Sequence, residues 1–584
     1  MKKILITLAI ALSLAGCNAD LLDTFPYDKV SSDNVWTRES TAEQVVIGIY
    51  QALRFNYIAG KIDVLERIGV TGDYVWGGGY VNNTANAYNG MFYDYWVQHY
   101  EMISRANNAI ANLPTSPITG AKLNRLVCES KFLRAYAYYR LNMVFAGVPL
   151  YLEPKTYDEF TQGRETPEAV WQAVVNDLTD CINSPDLPGR YEAGNASYGR
   201  ATKGAAYALR GKVYLWMKRW ADAESDFKKV GELGYSLFQG NFGDLFTEAN
   251  ERCPEMIFSL QAIRTVGLGQ PISRYYGAHI AHGWCISDDA PNTDFVNTYE
   301  WADGRPFNWD DVFTGYNSMT PAAREVYFLR DDLTTAEKTT AGARGADTTK
   351  YLGVGNEARC LLAFTDRDPR LNATIITPYA TFDGAVDGKP ATYVMRWPFR
   401  NYGAPVYDIE SNTRTSWYYL YRKFVGVGSD PYINRDNSPV DIPLIRYADV
   451  LLGLAEAHAE QNEVSEGLAE INKVRRRAGV AELQNTDNTL PTYVADADAL
   501  KDRIRKEFRW EFCGEAVSYF EDLRTGTYKD AKFFAGAGLK CIHGIYGVSA
   551  NVRFTWADRL LKWPLPPGEL EKNPNLAPNN PGWQ

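Results

Sequence analysis

The stretch ATKGAAYALRGKVYLWMKRWADAESDFKKVGELGY, residues 201–235, decides how this 584-residue chain is read. Its apolar positions recur at helical spacing in two runs that abut around Arg219 and Trp220, which predicts two helices joined by a tight turn. Ala206, Leu209, Gly211, Tyr214, Trp220, Ala223 and Phe227 mix small and aromatic side chains in the manner of a tetratricopeptide-repeat (TPR) unit, where small residues let paired helices approach closely. Such a pair buries its apolar face only by stacking on neighbours. More units are therefore expected.

YADVLLGLAEAHAEQNEVSEGLAEINKVRRRAG, residues 447–479, repeats the pattern, and segments 41–55 with 94–112 and 129–145 with 168–182 supply two further candidates. Within the third of these, Leu133, Tyr136, Ala137, Leu141 and Val144 form one stripe, and Gly147 with Pro149 ends the helix. The expected fold is all-α: four TPR-like pairs in a right-handed array, spanning about 37–233 and 441–480. Residues 234–440 are rich in Gly, Pro, Asn, Asp and aromatics, with short alternating runs such as ATYVMRW (391–397) and SWYYLYRKF (416–424). They read as loops, short helices and a few small strands. Residues 481–584 then form a C-terminal wrap, and 17–584 is expected to fold as one interlocked domain.

The N-terminus carries Lys2 and Lys3 and a run of eleven mostly apolar residues, Ile4 to Leu14. That run falls short of the roughly 20 residues a spanning helix needs, so residues 1–16 read as a signal peptide. LSLAGC (12–17) resembles the lipobox of bacterial lipoproteins, which implies that Cys17 is acylated and heads the mature chain. Several acyl chains would anchor it stably, at about 0.8 kcal/mol per buried methylene. The remaining cysteines are scattered without a Cys-x-x-Cys pair and read as free, buried thiols.

With 71 acidic against 61 basic side chains the net charge is −10, which argues against a nucleic-acid partner. Arg475, Arg476 and Arg477 close a predicted helix, and the expectation is a solvated helix end.

Catalytic signatures are missing: there is no Gly-x-Ser-x-Gly, His-Glu-x-x-His or phosphate-binding glycine loop. Asp288 with Asp289 and Asp310 with Asp311 are sequence neighbours, unsuited to flank a scissile glycosidic bond. AHIAHGWC (278–285) offers His279, His282 and Cys285 at three-residue spacing, which could hold a metal with Asp288 or could be ordinary hydrogen-bonded loop residues; the latter is expected, with no metal and no cofactor.

Aromatic residues are the abundant resource, with 15 Trp, 38 Tyr and 25 Phe. Sugar rings present apolar C–H faces to aromatic platforms, while their hydroxyls suit planar polar side chains. Most aromatics at helical spacing must pack the core. Those in irregular stretches are the candidates for ligand contact: Trp76 and Tyr80 beside Asp73, Asn82 and Asn83; Arg274, Tyr275, Tyr276, Trp284 and Asp288; and Trp309 in DGRPFNWDD. Each is either a platform or a plug that seats its loop on the helices.

YWVQHYEMISRANNAI (95–110), FLRAYAYYRLNMVFAGVPL (132–150), RDPRL (367–371), LIRYADVLLGLAEAHAEQNEVSEGLAEINKVRRRAG (444–479) and the tail WPLPPGELEKNPNLAPNNPGW (563–583), together with the lipobox and the opening stretch, resemble the SusD/RagB family of outer-membrane nutrient-binding lipoproteins. RKEFRWEFCGEAVSYFEDLR (505–524) departs from it, with Val517 and Ser518 where the family usually has a His-Arg pair, leaving the local packing open. The resemblance implies a helical, non-catalytic glycan-binding protein tethered by lipid at the outer membrane and facing outward. It also implies a partner, a TonB-dependent SusC-like transporter that the protein covers as a hinged lid. None of the candidate aromatics lies in a shared family motif. Peptide capture on the same scaffold and a secreted glycoside hydrolase are the alternatives.

Overall fold

The computed structural model describes residues 34–75, 78–278, 285–386, 389–400, 406–409, 419–426, 435–538, 540 and 553–583. The fold is mainly α-helical, built on four TPR-like helix pairs. The first pair is α1 (Glu39–Ala52) with α2 (Gly90–Asn112), the second α3 (Gly120–Phe145) with α4 (Pro167–Asn183), and the third α5 (Lys203–Trp216) with α6 (Trp220–Glu232). The fourth, α7 (Tyr447–Glu460) with α8 (Val464–Ala478), packs directly on α6 although more than 200 residues separate them in sequence.

Local chemistry sets the helix boundaries. Thr166 and Thr202 cap α4 and α5 by accepting from the backbone N–H of Ala169 and Ala205, and proline at the start of α4 needs no hydrogen-bond partner. Gly479, at φ +78°, stops α8 in the left-handed conformation that glycine adopts without a steric cost. Small residues let the third and fourth pairs meet. A Cβ on Gly211 would lie 2.5 Å from the Phe227 ring, and one on Gly453 of α7 would lie 2.7 Å from the same ring. Phe227 is therefore clamped between two glycines of successive units.

The interface also holds charge. Lys212 of α5 donates to both carboxylate oxygens of Asp449 in α7 at 2.7 Å, and it approaches Glu521 of α10 (Ser518–Arg524) at 3.4 Å. Arg475 and Arg477 at the end of α8 correct the expectation of a solvated basic run: both are buried, while Arg476 alone is exposed. Arg475 reaches Glu507 of α9 (Ala497–Phe512) at 2.7 Å, and Arg477 reaches Glu255 at 3.0 Å and Glu511. RDPRL joins the same network through Arg370, 2.6 Å from both Asp368 and Glu507.

Residues between the third and fourth pairs form short helices and small sheets, as their composition led one to expect. β1 (Gly72–Tyr74) pairs antiparallel with β3 (Asp289–Pro291), and β2 (Met256–Leu260) with β9 (Ile442–Arg446), so β9 leads straight into α7. β4 (Ile375–Ile376) pairs with β8 (Leu420–Tyr421), and β5 (Thr381–Val386), β6 (Lys389–Val394) and β7 (Val406–Asp408) form a three-stranded sheet. The tail returns to the first two pairs: Trp563 lies edge-on to Phe92 and Tyr95 at 5.2 and 5.0 Å, and Trp583 to Phe92 at 5.2 Å.

The departure at 514–518 is settled by Glu66. Its carboxylate accepts from the backbone N–H of Gly514 and Ala516 at 3.0 and 2.9 Å, holding Ala516 at φ +60°, and Ser518 Oγ sits 3.2 Å from Thr71 Oγ1. Cys128, Cys181, Cys360 and Cys513 are free and buried, Cys285 is buried, and Cys253 is free and half-buried. No helix among the described residues is long and apolar enough to cross a membrane. Cys17 lies outside them.

Candidate functional site

The β1–β3 ladder sets Tyr74 opposite Asp289, and Val75 N–H donates to the Asp288 carbonyl at 2.9 Å, so the loop after β1 and the loop before β3 leave the ladder side by side. Trp76 sits in the first and Trp284 in the second; both lie outside the described residues, as do His279 and His282. The described residues next to them in sequence and across the ladder belong to a patch of half-buried rings edged by charge.

Arg67 places its guanidinium 4.3 Å from the Tyr74 ring while bonding Asp63 at 2.6 Å and Asp289 at 2.9 Å. Burial pushes the Asp289 carboxyl well above its ordinary range, opposed by Arg67. Tyr275, on the short helix Ile272–Tyr276, lies between Lys61 at 5.6 Å and Arg274 at 5.9 Å from its ring centre. Arg274 is 37% exposed and bonds Asp436 at 3.0 Å, and Asp288 is close enough to act electrostatically on both Tyr74 and Arg274. The patch thus presents flat rings beside planar or charged hydrogen-bonding groups. A hydroxyl-rich ligand with apolar ring faces is matched by that combination.

Burial corrects three other sequence candidates, Tyr80, Tyr276 and Asp73, while Asn82, Asn83 and Trp309 are half-buried with partners within the chain. Tyr80 is buried; its hydroxyl lies 2.7 Å from that of Tyr519, donates to the Leu560 carbonyl at 2.5 Å and accepts from Trp563 Nε1 at 3.2 Å. It pins the 78–85 loop to the tail. Tyr276 is buried with its ring stacked on Tyr421 at 4.1 Å. Asp73 is buried, accepting from Lys532 at 2.6 Å and Asn292 at 2.8 Å, and burial pushes its carboxyl up to about 6 against the pull of Lys532. Asn82 closes a local turn through Thr84, and Asn83, at φ +60°, accepts from Arg559 at 2.8 Å. Trp309 stacks on Tyr316 at 4.9 Å and meets Phe307, Phe313, Phe328 and Phe364, a cluster that shares no ring with the patch. It plugs its loop onto the protein.

Conversely, Lys61, Arg67 and Tyr74 belong to the patch and went unread in the sequence. Tyr74 sits in GDYVWGGGY beside residues that were singled out; Lys61 and Arg67 carry no local signal at all.

The neighbouring carboxylates have structural partners. Asp310 Oδ1 accepts from Asn317 N–H at 2.9 Å, and Asp311 accepts from Trp301 Nε1 at 3.3 Å. Cys285 is buried, which pushes its thiol up to about 12. One group among the described residues has metal-ligand character, Glu224, His458 and Glu463, with ligating atoms within 4.8 Å of one another. His458 Nδ1 already contacts Glu463 at 2.6 Å, and Glu224 accepts from Lys228 and Gln461 at 2.6 and 2.7 Å. The cation demand of Glu224 is met by Lys228.

Two family models together span nearly the whole chain: residues 254–583 match the SusD family, and residues 20–215 match a model described as starch-binding associating with outer membrane. A SusD-like protein of Formosa agariphila, P2, is 26% identical over the full length of both chains. Among solved structures, a SusD-like carbohydrate-binding protein from Bacteroides fragilis NCTC 9343 is 23% identical, covers 93% of this chain and all of its own, and superposes with a TM-score of 0.70. A laminarin-binding SusD-like protein is 20% identical, with a TM-score of 0.62 over 94% of this chain and all of its own. These two share the fold.

Proposed function

The chain belongs to the SusD family, and on that premise we propose that it is a non-catalytic glycan-capturing lipoprotein of the outer membrane. It binds oligosaccharide at the patch of Tyr74, Tyr275, Arg274 and Asp288, with Trp76 and Trp284 as its stacking platforms, and passes the ligand to a TonB-dependent SusC-like transporter. Acylated Cys17 holds the protein beside that transporter, raising the effective concentration of bound ligand at the point of import.

One observation carries the reading. The β1–β3 ladder sets Tyr74 and Val75 beside Asp288 and Asp289, and the half-buried rings of Tyr74 and Tyr275 are edged by arginine, lysine and carboxylate groups. Carbohydrate binding in two relatives of the same fold supports it.

Affinity electrophoresis in gels containing single polysaccharides, laminarin among them, tests the proposal. Retention of the native chain, lost in Trp76→Ala and Trp284→Ala with the circular dichroism spectrum unchanged, is expected. Retention that survives both substitutions removes the platforms. Prolonged incubation with a retained glycan should release no new reducing ends, and Cys17→Ser should abolish incorporation of labelled palmitate.

A further inference from the structure

A concave surface lies on the first two helix pairs. A groove of about 640 Å³ runs between α2, the 149–161 connection and the short C-terminal helix α11 (Pro567–Lys572), within the roughly 300–1,000 Å³ of ordinary ligand clefts. Its floor is a chain of rings: Trp96 meets Tyr100 at 4.8 Å, Tyr100 meets Tyr151 at 6.1 Å, and Tyr151 meets Phe160 at 4.9 Å. The floor hydroxyls are committed internally, since Tyr100 donates to the Pro149 carbonyl at 2.8 Å and Tyr151 accepts from Gln162 N–H. The rims are open, with Tyr157 83% exposed, Tyr93 42% and Phe160 39%. Lys572 lies near both rim tyrosines.

Exposed aromatic side chains that converge on a preformed cleft mark a binding site more often than idle surface. The charge of this cleft narrows its occupant. Three carboxylates, Glu101, Asp158 and Glu569, line it with one ammonium, Lys572, which Glu569 holds at 2.9 Å, and Glu101 is paired with Arg105 beside the groove at 2.5 Å, so the carboxylates stay in excess. A polyanion would meet net repulsion here, whereas a neutral sugar chain would find ring faces to stack on and carboxylates to accept its hydroxyls. We infer that the groove is a second subsite for a neutral oligosaccharide, separate from the Tyr74–Tyr275 patch. The inference rests on the glycan-binding function proposed above and extends it to multivalent capture, in which two weak sites on one long chain bind more tightly than either alone.

Calorimetric titration of the full-length chain in detergent with laminarihexaose, maltohexaose and cellohexaose tests this, using native protein, Trp76→Ala/Trp284→Ala, and that variant with Tyr93→Ala/Tyr157→Ala added. The exposed positions of Tyr93 and Tyr157 make their loss harmless to folding, which the thermal midpoint verifies. Residual binding in the double tryptophan variant, weakened roughly tenfold to a hundredfold when both tyrosines are also removed, is the expected result. Undiminished binding in the double tryptophan variant that disappears with the tyrosines also supports the groove, and it overturns the patch instead. Complete loss on removing the tryptophans, or residual binding indifferent to the tyrosines, overturns the groove and leaves the patch standing. Failure of every probe to bind the native chain overturns both. Equal competition by a hexa-uronate overturns the assignment of a neutral ligand.

Discussion

Two charged clusters in this molecule contain the same residue types and behave as opposites. In the first, Arg446 and Glu511 are almost entirely enclosed, with Arg446 bonding Glu255 at 2.5 Å, Glu511 at 3.0 Å and Glu515 at 2.8 Å. In the second, Arg274 at the ring-lined patch is 37% exposed and bonds only Asp436 among the described carboxylates. Where every donor of a buried guanidinium has a protein acceptor, charge serves the architecture. Where guanidinium, ammonium and carboxylate stand half-exposed beside rings, hydrogen-bonding capacity remains for a ligand. The separation of scaffold from the proposed site in this chain is therefore a matter of how completely charge is enclosed, not of which residues are present.

The strongest way to break that comparison is to disturb the enclosed cluster. Burial alone would raise the Glu511 carboxyl, yet Arg477, Arg446 and Arg370 hold it well below the usual carboxylate range. Glu511→Ala removes the one carboxylate that these three buried cations share, leaving each with fewer acceptors. A loss of about 3–5 kcal/mol in urea denaturation is expected, with glycan affinity falling only as the folded fraction falls. A denaturation midpoint equal to that of the native chain would show that the cluster is not structural.

Asp73 sharpens the boundary, because it lies next to Tyr74 of the patch yet belongs with the enclosed charges. Its carboxyl is pushed up by burial to about 6, from 3.8, so between these values the folded chain holds a proton that the unfolded chain releases. Stability on this account is greatest below about pH 4, falls as pH rises towards 6 and is level above it, by an amount on the order of 3 kcal/mol. Asp73→Asn should flatten that slope in thermal melts taken from pH 4 to 7 while leaving sugar affinity within about twofold. A slope that persists, or a larger loss of affinity, would move Asp73 back into the site.

How far each cluster was legible follows from how far apart in sequence its members are. Helix pairs declare themselves locally, since Gly211, Phe227 and their neighbours repeat at helical spacing. The enclosed charges do not: Arg477 and Glu255 are 222 residues apart, and Arg475 and Glu300 are 175 apart, so a run of three arginines looked like a solvated helix end. Tyr80 misled for the same reason, its partners Tyr519 and Trp563 lying 439 and 483 residues away. Composition marks a loop that has aromatics; it does not say which ring turns inward. In the groove, Tyr93 was hidden by the opposite effect, because a tyrosine at helical spacing reads as core until the face it occupies is known.

The finest test uses two adjacent tyrosines. Tyr276 is enclosed, stacked on Tyr421 at 4.1 Å, and its hydroxyl donates to the Gly514 carbonyl at 3.2 Å. Tyr275 is half-buried, packed on one side against the core and flanked by Lys61 and Arg274. Tyr276→Phe removes one buried hydrogen bond, so stability should drop by about 1 kcal/mol with sugar affinity unchanged. Tyr275→Ala should cost less than about 1 kcal/mol of stability, since its cation contacts are partly solvated, yet weaken glycan binding roughly threefold to tenfold by deleting a stacking face. Melts and titrations on the two variants should therefore move in opposite columns. If both variants shift stability alone, the patch is packing and its rings carry no ligand; if Tyr276→Phe weakens binding while the fold holds, enclosure does not exclude a ring from the site, and the distinction between enclosed and half-exposed polar groups loses its force here.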